Sequence, residues 1–222
     1  MQRLKVVVLA LMAVFALAAF ASSTAFGADA EFLPTASEAY KGESGPGTLE
    51  TLAHKNITCN KDTSSGALSG RTATLHIDFS ECKGENGLVT CTGLGEASGV
   101  ILVLGSALLV YDSLSPLGVA ILVTLNLLHL SCSIVLVEIL GKVLCLIGTL
   151  NTATKHNEIK CEMLEKEKSG DPKERTYWEG GVEKTIPATE ELLSSFNHGT
   201  FEMSAELTSA LILTTNNITL DG

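Results

Sequence analysis

The residues of this 222-residue chain best suited to chemistry are five histidines, six cysteines and one adjacent pair of large aromatics. His54, His76, His129, His156 and His198 are scattered along the sequence. His76 and Asp78 lie two residues apart in an alternating segment, so on a strand they would share a face, where a carboxylate can hold an imidazole as a general base. No nucleophile accompanies them, and the expectation is a solvated strand face. His129 sits in apolar sequence and is expected as a half-buried, hydrogen-bonded side chain rather than a ligand. Tyr177-Trp178 would stack on a sugar or a partner if exposed; the expectation is that it packs as core.

The motifs that place a nucleophile or a zinc-bound water, G-x-S-x-G and H-E-x-x-H, do not occur. Gly93-Leu-Gly95-Glu-Ala-Ser-Gly99 resembles a dinucleotide loop, but its third glycine comes one residue late and no βαβ context follows, so it reads as a plain loop. The acidic residues form no Asp-x-Asp-x-Asp-Gly calcium loop. Asn56-Ile-Thr58 and Asn217-Ile-Thr219 match glycosylation sequons, a weak pattern in a Thr-rich chain. No catalytic residue, cofactor site or metal ligand is assigned, no cofactor is expected, and the expectation is a protein that is not an enzyme.

Cys59, Cys82, Cys91, Cys132, Cys145 and Cys161 are even in number, and no C-x-x-C occurs among them. In an exported chain this favours three disulfides over metal ligation. Six cysteines allow fifteen connectivities, and the sequence leaves the choice among them open, but two pairs sit symmetrically about turn candidates. Cys145 and Cys161 are centred on Ala153, and Cys59 and Cys82 on Gly70-Arg71. By elimination Cys91 pairs with Cys132.

Export is read from residues 1–28. Arg3 and Lys5 precede an apolar run, Val6–Ala21, and small residues follow, which is the layout of a signal peptide. The formal net charge of the chain is −10. Without residues 1–28 it becomes −12, 13 basic against 25 acidic residues. Such a surface disfavours nucleic acid as a partner; other partners and the oligomeric state are not legible.

The elements around these residues are short and alternating. Glu31–Gly47 reads as an extended lead-in (29–47), Thr48–Cys59 as a strand of poor period, and Asn60–Gly70 as turn chemistry. Thr72–Phe79 is the cleanest strand: Ala73, Leu75, Ile77 and Phe79 face one way, Thr74, His76 and Asp78 the other. Lys83–Gly87 reads as a loop and Leu88–Thr92 as a short strand. Between Gly99 and Leu150 only Asp112, Glu138 and Lys142 are charged. Its three apolar pieces are each short for a bilayer-crossing helix and long enough for a strand; buried strands are the working reading, with a membrane hairpin or buried helices as the alternative. Further on, Glu158–Leu164 alternates, Glu165–Arg175 reads as a solvated turn, Arg175–Ile186 as a hairpin about Glu179-Gly180-Gly181, and Thr189–Asn197 as one or two helical turns capped by Thr189. Thr200–Leu207 alternates again, and Thr214–Gly222 reads as a last strand or a frayed tail.

Several pieces in order, Phe32-Leu-Pro-Thr35, Gly47-Thr-Leu-Glu-Thr51, Cys59 with Asp62-Thr-Ser-Ser-Gly66 and Gly70, then Phe79-Ser-Glu-Cys82, resemble uncharacterised secreted proteins of high-GC Gram-positive bacteria. The resemblance covers roughly Phe32–Cys91. It implies export and a cysteine-braced, β-rich body, and it brings no assigned activity.

The chain is therefore expected to be all-β, an antiparallel sandwich or barrel with at most one short helix. A signal peptide (1–28) and the lead-in (29–47) would precede a single β-rich domain (48–222). The leading functional expectation is a secreted or cell-surface structural or binding module of the cell envelope. Two alternatives stand beside it: a barrel carrying a hydrophobic ligand, and a membrane protein anchored by residues 99–150.

Overall fold

The computed structural model describes residues 29–51, 55–113, 118–148, 151–161 and 175–221, without the side chains of 51 and 202–210. The signal segment, His54, the turn near Ser115-Pro116 and all but the last residue of the Glu165–Arg175 turn lie outside the described residues.

The described residues form sixteen strands and no helix. In chain order these are β1 (Glu31–Leu33), β2 (Glu38–Ser44), β3 (Gly47–Thr51), β4 (Asn56–Cys59), β5 (Lys61–Ser69), β6 (Thr72–Ser80), β7 (Lys83–Gly84) and β8 (Val89–Gly93). They continue as β9 (Ile101–Asp112), β10 (Val119–Cys132), β11 (Val135–Ile147), β12 (Thr154–Cys161), β13 (Thr176–Glu179), β14 (Val182–Thr185), β15 (Leu193–Phe196) and β16 (Glu202–Asp221). The all-β expectation holds, and of the two architectures it is the barrel. Eight antiparallel strands, β2, β5, β6, β9, β10, β11, β12 and β16, pair in that order, and β16 closes back onto β2.

Shorter strands carry the same wall further. β2–β3 pairs with β4–β5 in one unbroken register, from Glu38↔Leu68 to Glu50↔Asn56. β7 and β8 continue the strip, and β15 fills the slot between β11 and β16 below β12. With the lower halves of β10, β11 and β16 they close a second circuit. The chain thus runs as an up-and-down meander whose long strands pass through both circuits. Two excursions interrupt it. Leu94–Val100 bulges between β8 and β9, its base closed by Gly93 N donating to Val100 O at 2.8 Å. Between β12 and β15 the described residues 175–192 carry the β13–β14 hairpin, whose first strand pairs with the end of β9, Tyr177↔Asp112 and Trp178↔Tyr111.

The greasy centre is three barrel strands, β9, β10 and β11, as the strand reading has it. No helix among the described residues is long and apolar enough to cross a membrane. The stretch lacks clean alternation because both of its faces are covered at the upper end. Leu109, Val119, Ile121 and Ile147 point into the barrel. Val110, Ala120, Leu122 and Leu144 point outward, under Tyr177 and Ile186 of the excursion. A strand buried on two faces reads as a continuous apolar run. Elsewhere the outer wall mixes polar residues that point away from the interior, among them Lys41, Glu43, Lys61, Thr74, His76, Asp78, Glu158 and Lys160, with exposed leucines, among them Leu104, Leu127, Leu136, Leu146, Leu211 and Leu213.

Other expectations are corrected. The lead-in is structural, since β2 is a barrel strand and β1 pairs with the end of β16. Thr48–Cys59 is two strands, not one, and Lys83–Gly87 includes the short β7. Asn60–Gly70 is mostly β5: its Ser, Thr and Gly residues suit turns, but a closed barrel satisfies their backbone on both sides. The helical turns about Thr189 are instead a turn followed by β15. A helix that short nucleates poorly, while the edges of β11 and β16 supply a ladder on each side.

The hairpin about Gly180-Gly181 and the cover it gives the outer wall yield a direct test. Ile186, where the excursion packs on the wall, is 3% exposed, whereas Leu146, outward on the wall, is 40% exposed. Ile186→Ala should cost about 2–4 kcal/mol in denaturant unfolding, and Leu146→Ala less than about 1 kcal/mol. Equal costs would mean that the excursion does not cover this face.

Candidate functional site

The barrel interior is filled at both ends and open in the middle. The upper plug includes Phe32, Leu109, Tyr111, Ile147, Ile218 and Leu220. The lower plug includes Cys82, Cys91, Cys132, Leu130 and Val137. Between them lies a cavity of about 140 Å³. An eight-stranded barrel is just wide enough for its side chains to fill it or to hold one small ligand. Here the difference lies in the inner face of β2 and β5, where Gly42, Ser44, Asp62, Ser64 and Gly66 stand in a row of small or short side chains. The rest of the wall presents larger ones, among them Phe79, Ile101, Val103, Leu125, Leu128 and Ile139.

The small residues are needed in place. Gly66 faces Tyr40 across the β2–β5 ladder, and a Cβ there would meet the Tyr40 ring at 2.8 Å. Its absence lets the Tyr40 ring lie along the wall and its hydroxyl donate to Thr74 O at 3.1 Å. Burial pushes the Tyr40 phenol up to about 12, so it stays neutral. Gly42 faces Ser64 in the same way, and a Cβ there would collide with the Ser64 hydroxyl.

Asp62 is the one charged residue lining the cavity among those described. It is 4% exposed, flanked by Ser44 on β2 and Phe79 on β6, and it accepts a hydrogen bond from the Ser44 hydroxyl. Burial raises its pKa above the ordinary carboxyl value, and the Ser44 bond partly opposes that rise.

The three disulfides are Cys59–Cys82, Cys91–Cys132 and Cys145–Cys161, the pairing that turn symmetry implies. Each joins neighbouring strands of the wall from the inner side. Cys91 and Cys132 are direct ladder partners, and the other two pairs extend the registers of β5–β6 and β11–β12 by one step or two. Their sequence separations of 23, 41 and 16 residues place the loop-closure contribution of each at roughly 3–4 kcal/mol. Cys59, Cys145 and Cys161 also line the cavity.

The residues singled out from sequence lie elsewhere. His76 Nε2 is 3.6 Å from Asp78 Oδ2 on the exposed outer face of β6, a solvated couple. His129 is on the outer face, not half-buried in apolar packing: its Nε2 is 3.2 Å from Glu138 Oε1, and His198 Nδ1 is 3.5 Å from the same oxygen. His156 is exposed on β12. No group of three or more metal-ligating side chains is found among the described residues. Tyr177, on the excursion, is buried against the outer wall, and Trp178 packs partly buried against the upper plug. Gly93–Gly99 is a loop. Asn56 of the first sequon bonds Asn86, Nδ2 to Oδ1 at 3.0 Å, and Asn217 of the second is exposed.

Asp62, Ser64 and Tyr40 were not legible as a site, because Asp62 and Ser64 stand in a segment that reads as a turn. A signal was available: if Cys59 and Cys82 pair about Gly70-Arg71, residues 60–69 must pair with 72–81. Alternation within β5 then turns Asp62, Ser64, Gly66 and Leu68 to one face.

Comparison with family models, with curated proteins and with solved structures finds no match to this chain.

The raised pKa of Asp62 sets a pH dependence. The folded state holds its proton more tightly than the unfolded state, so Asp62 takes stability away as pH rises from the ordinary carboxyl value, 3.8, through its folded value. Asp62→Asn should therefore raise the midpoint of thermal unfolding at pH 7, with the gain shrinking to nothing below pH 3.8. A gain that persists at low pH would contradict this assignment.

Proposed function

We propose that this chain is an exported, non-enzymatic binding protein whose ligand is a small apolar molecule held inside the barrel. The observation that carries the reading is the apolar cavity at the waist of the barrel, between the two packed plugs. A cavity of about 150 Å³ lined by aliphatic and aromatic side chains stays dry and takes up benzene, and the volume here is similar. Ligands of about that size are the class proposed. Export is supported by the signal-like residues 1–28, and the three disulfides are compatible with an oxidising compartment.

One observation favours a second reading, docking to the cell envelope. At the lower end the turns before β8 and before β11 lie side by side, Ser133 N donating to Thr90 O at 3.4 Å. They present Leu88 and Ile134, 82% and 92% exposed. Phe201, 42% exposed, stands beside the neighbouring turn, which is bonded to β11 through Asn197 and Leu136. Apolar side chains grouped at a rim are a common basis for contact with another surface.

The interior reading is tested by thermal unfolding with and without toluene. A ligand that binds only the folded state at 100 times its Kd adds about 2.7 kcal/mol, so saturating toluene should raise the wild-type midpoint clearly. Val123→Phe, which places a ring in the cavity, should keep the fold and lose the response. An unresponsive wild type would remove the interior reading and leave the envelope reading.

A further inference from the structure

The cavity wall carries one polar feature out of keeping with the rest. A carboxylate withdrawn from water is costly unless a cation or several donors compensate it. Asp62 is 4% exposed and faces the cavity. Its hydrogen-bond donor is the Ser44 hydroxyl, and no Lys, Arg or His lies within ion-pairing distance of it among the described residues. The remaining polar groups at its level, Ser64 and the neutral Tyr40, carry no charge. Phe79 beside it, and Leu125 and Ile139 across the barrel, offer only hydrocarbon.

We infer that the interior site recognises an apolar amine: a hydrocarbon body against β6, β9 and β10, with its ammonium group bonded to Asp62. The inference rests on the interior-ligand reading above and adds to it the charge and chemical class of the head group. An ammonium supplies the counter-charge that the wall lacks, and it donates hydrogen bonds, which both carboxylate oxygens can accept. Ser44 then acts as a positioning residue that fixes the carboxylate's orientation from behind. The acidic chain, −10 overall, raises the local concentration of cations and disfavours anions of the same shape. Fatty acids and other carboxylates are thereby excluded, because a second buried carboxylate beside Asp62 would be repelled.

The test compares three probes of one shape, toluene, benzylamine and benzoate, by titration calorimetry on the intact disulfide-bonded chain. Benzylamine should bind about tenfold or more tighter than toluene, as expected for a charge-assisted hydrogen bond, and benzoate should not bind. In Asp62→Asn the advantage of benzylamine should vanish while toluene binding stays within about threefold of wild type. Should that variant not fold, the same comparison is made on the wild type as a function of pH. Acidification through the titration of Asp62 should then remove the benzylamine advantage and leave toluene unaffected. Toluene bound with benzylamine no tighter, or an advantage that survives Asp62→Asn or full acidification, overturns the amine assignment alone. Failure of every probe to bind overturns the interior-ligand reading and the amine assignment together.

Discussion

The barrel depends on one seam. β16 pairs with β2 from Ala210↔Ser44 to Thr214↔Tyr40 on one side and with β12 on the other, and without it the remaining strands are an open, twisted sheet with two bare edges. Its length, 20 residues, lets it span both circuits, so that β3 and β15 pair with its first half and β1 with its end. A side chain reinforces the join: Glu38 on β2 accepts from Asn216 N at 2.8 Å and from Asn216 Nδ2 at 3.0 Å. Those bonds hold the Glu38 carboxyl below its ordinary pKa. At the upper rim the N-terminal segment is tied to the excursion by ions rather than by ladder. Arg71 bridges Asp29 at 2.6 Å and Glu179 at 3.3 Å, and Lys184 reaches Glu179 at 2.6 Å.

Closure creates an inside, and the composition of each strand's inner face decides how that inside is filled. Large side chains converge at the two ends. The small inner residues of β2 and β5 fall at the middle, where no side chain from the opposite wall reaches across. The disulfides fit the same plan, since an inner-face cysteine opposite another on a neighbouring strand fixes register without occupying the outer surface. A slip of one residue would turn every inner side chain outward, so three covalent pins on inner-face pairs also guard the cavity wall.

Much of this was legible in the sequence, and the failures have physical causes. The strand at Thr72–Phe79 alternates cleanly because its outer face meets water. β9 and β10 do not, because the excursion covers the upper part of their outer face and leucines, Leu104 and Leu127, stand exposed on it lower down, which made that stretch ambiguous between membrane and core. β5 was hidden because Ser, Thr, Asp and Gly are turn formers by local preference, and only closure on both sides makes them a strand. The cysteine spacing already held the missing information: a bridge symmetric about Gly70-Arg71 implies paired strands up to Cys59 and Cys82. The helical reading near Thr189 failed for want of the same long-range view, since the slot that β15 fills is made by β11 and β16.

Amide hydrogen exchange followed residue by residue tests closure most directly. The account predicts that the laddered amides of 40–44 and 210–214 exchange as slowly as those of 119–125 in the middle of the wall. Fast exchange along both seam segments beside a protected β10 would show an open sheet, with no enclosed interior and no cavity.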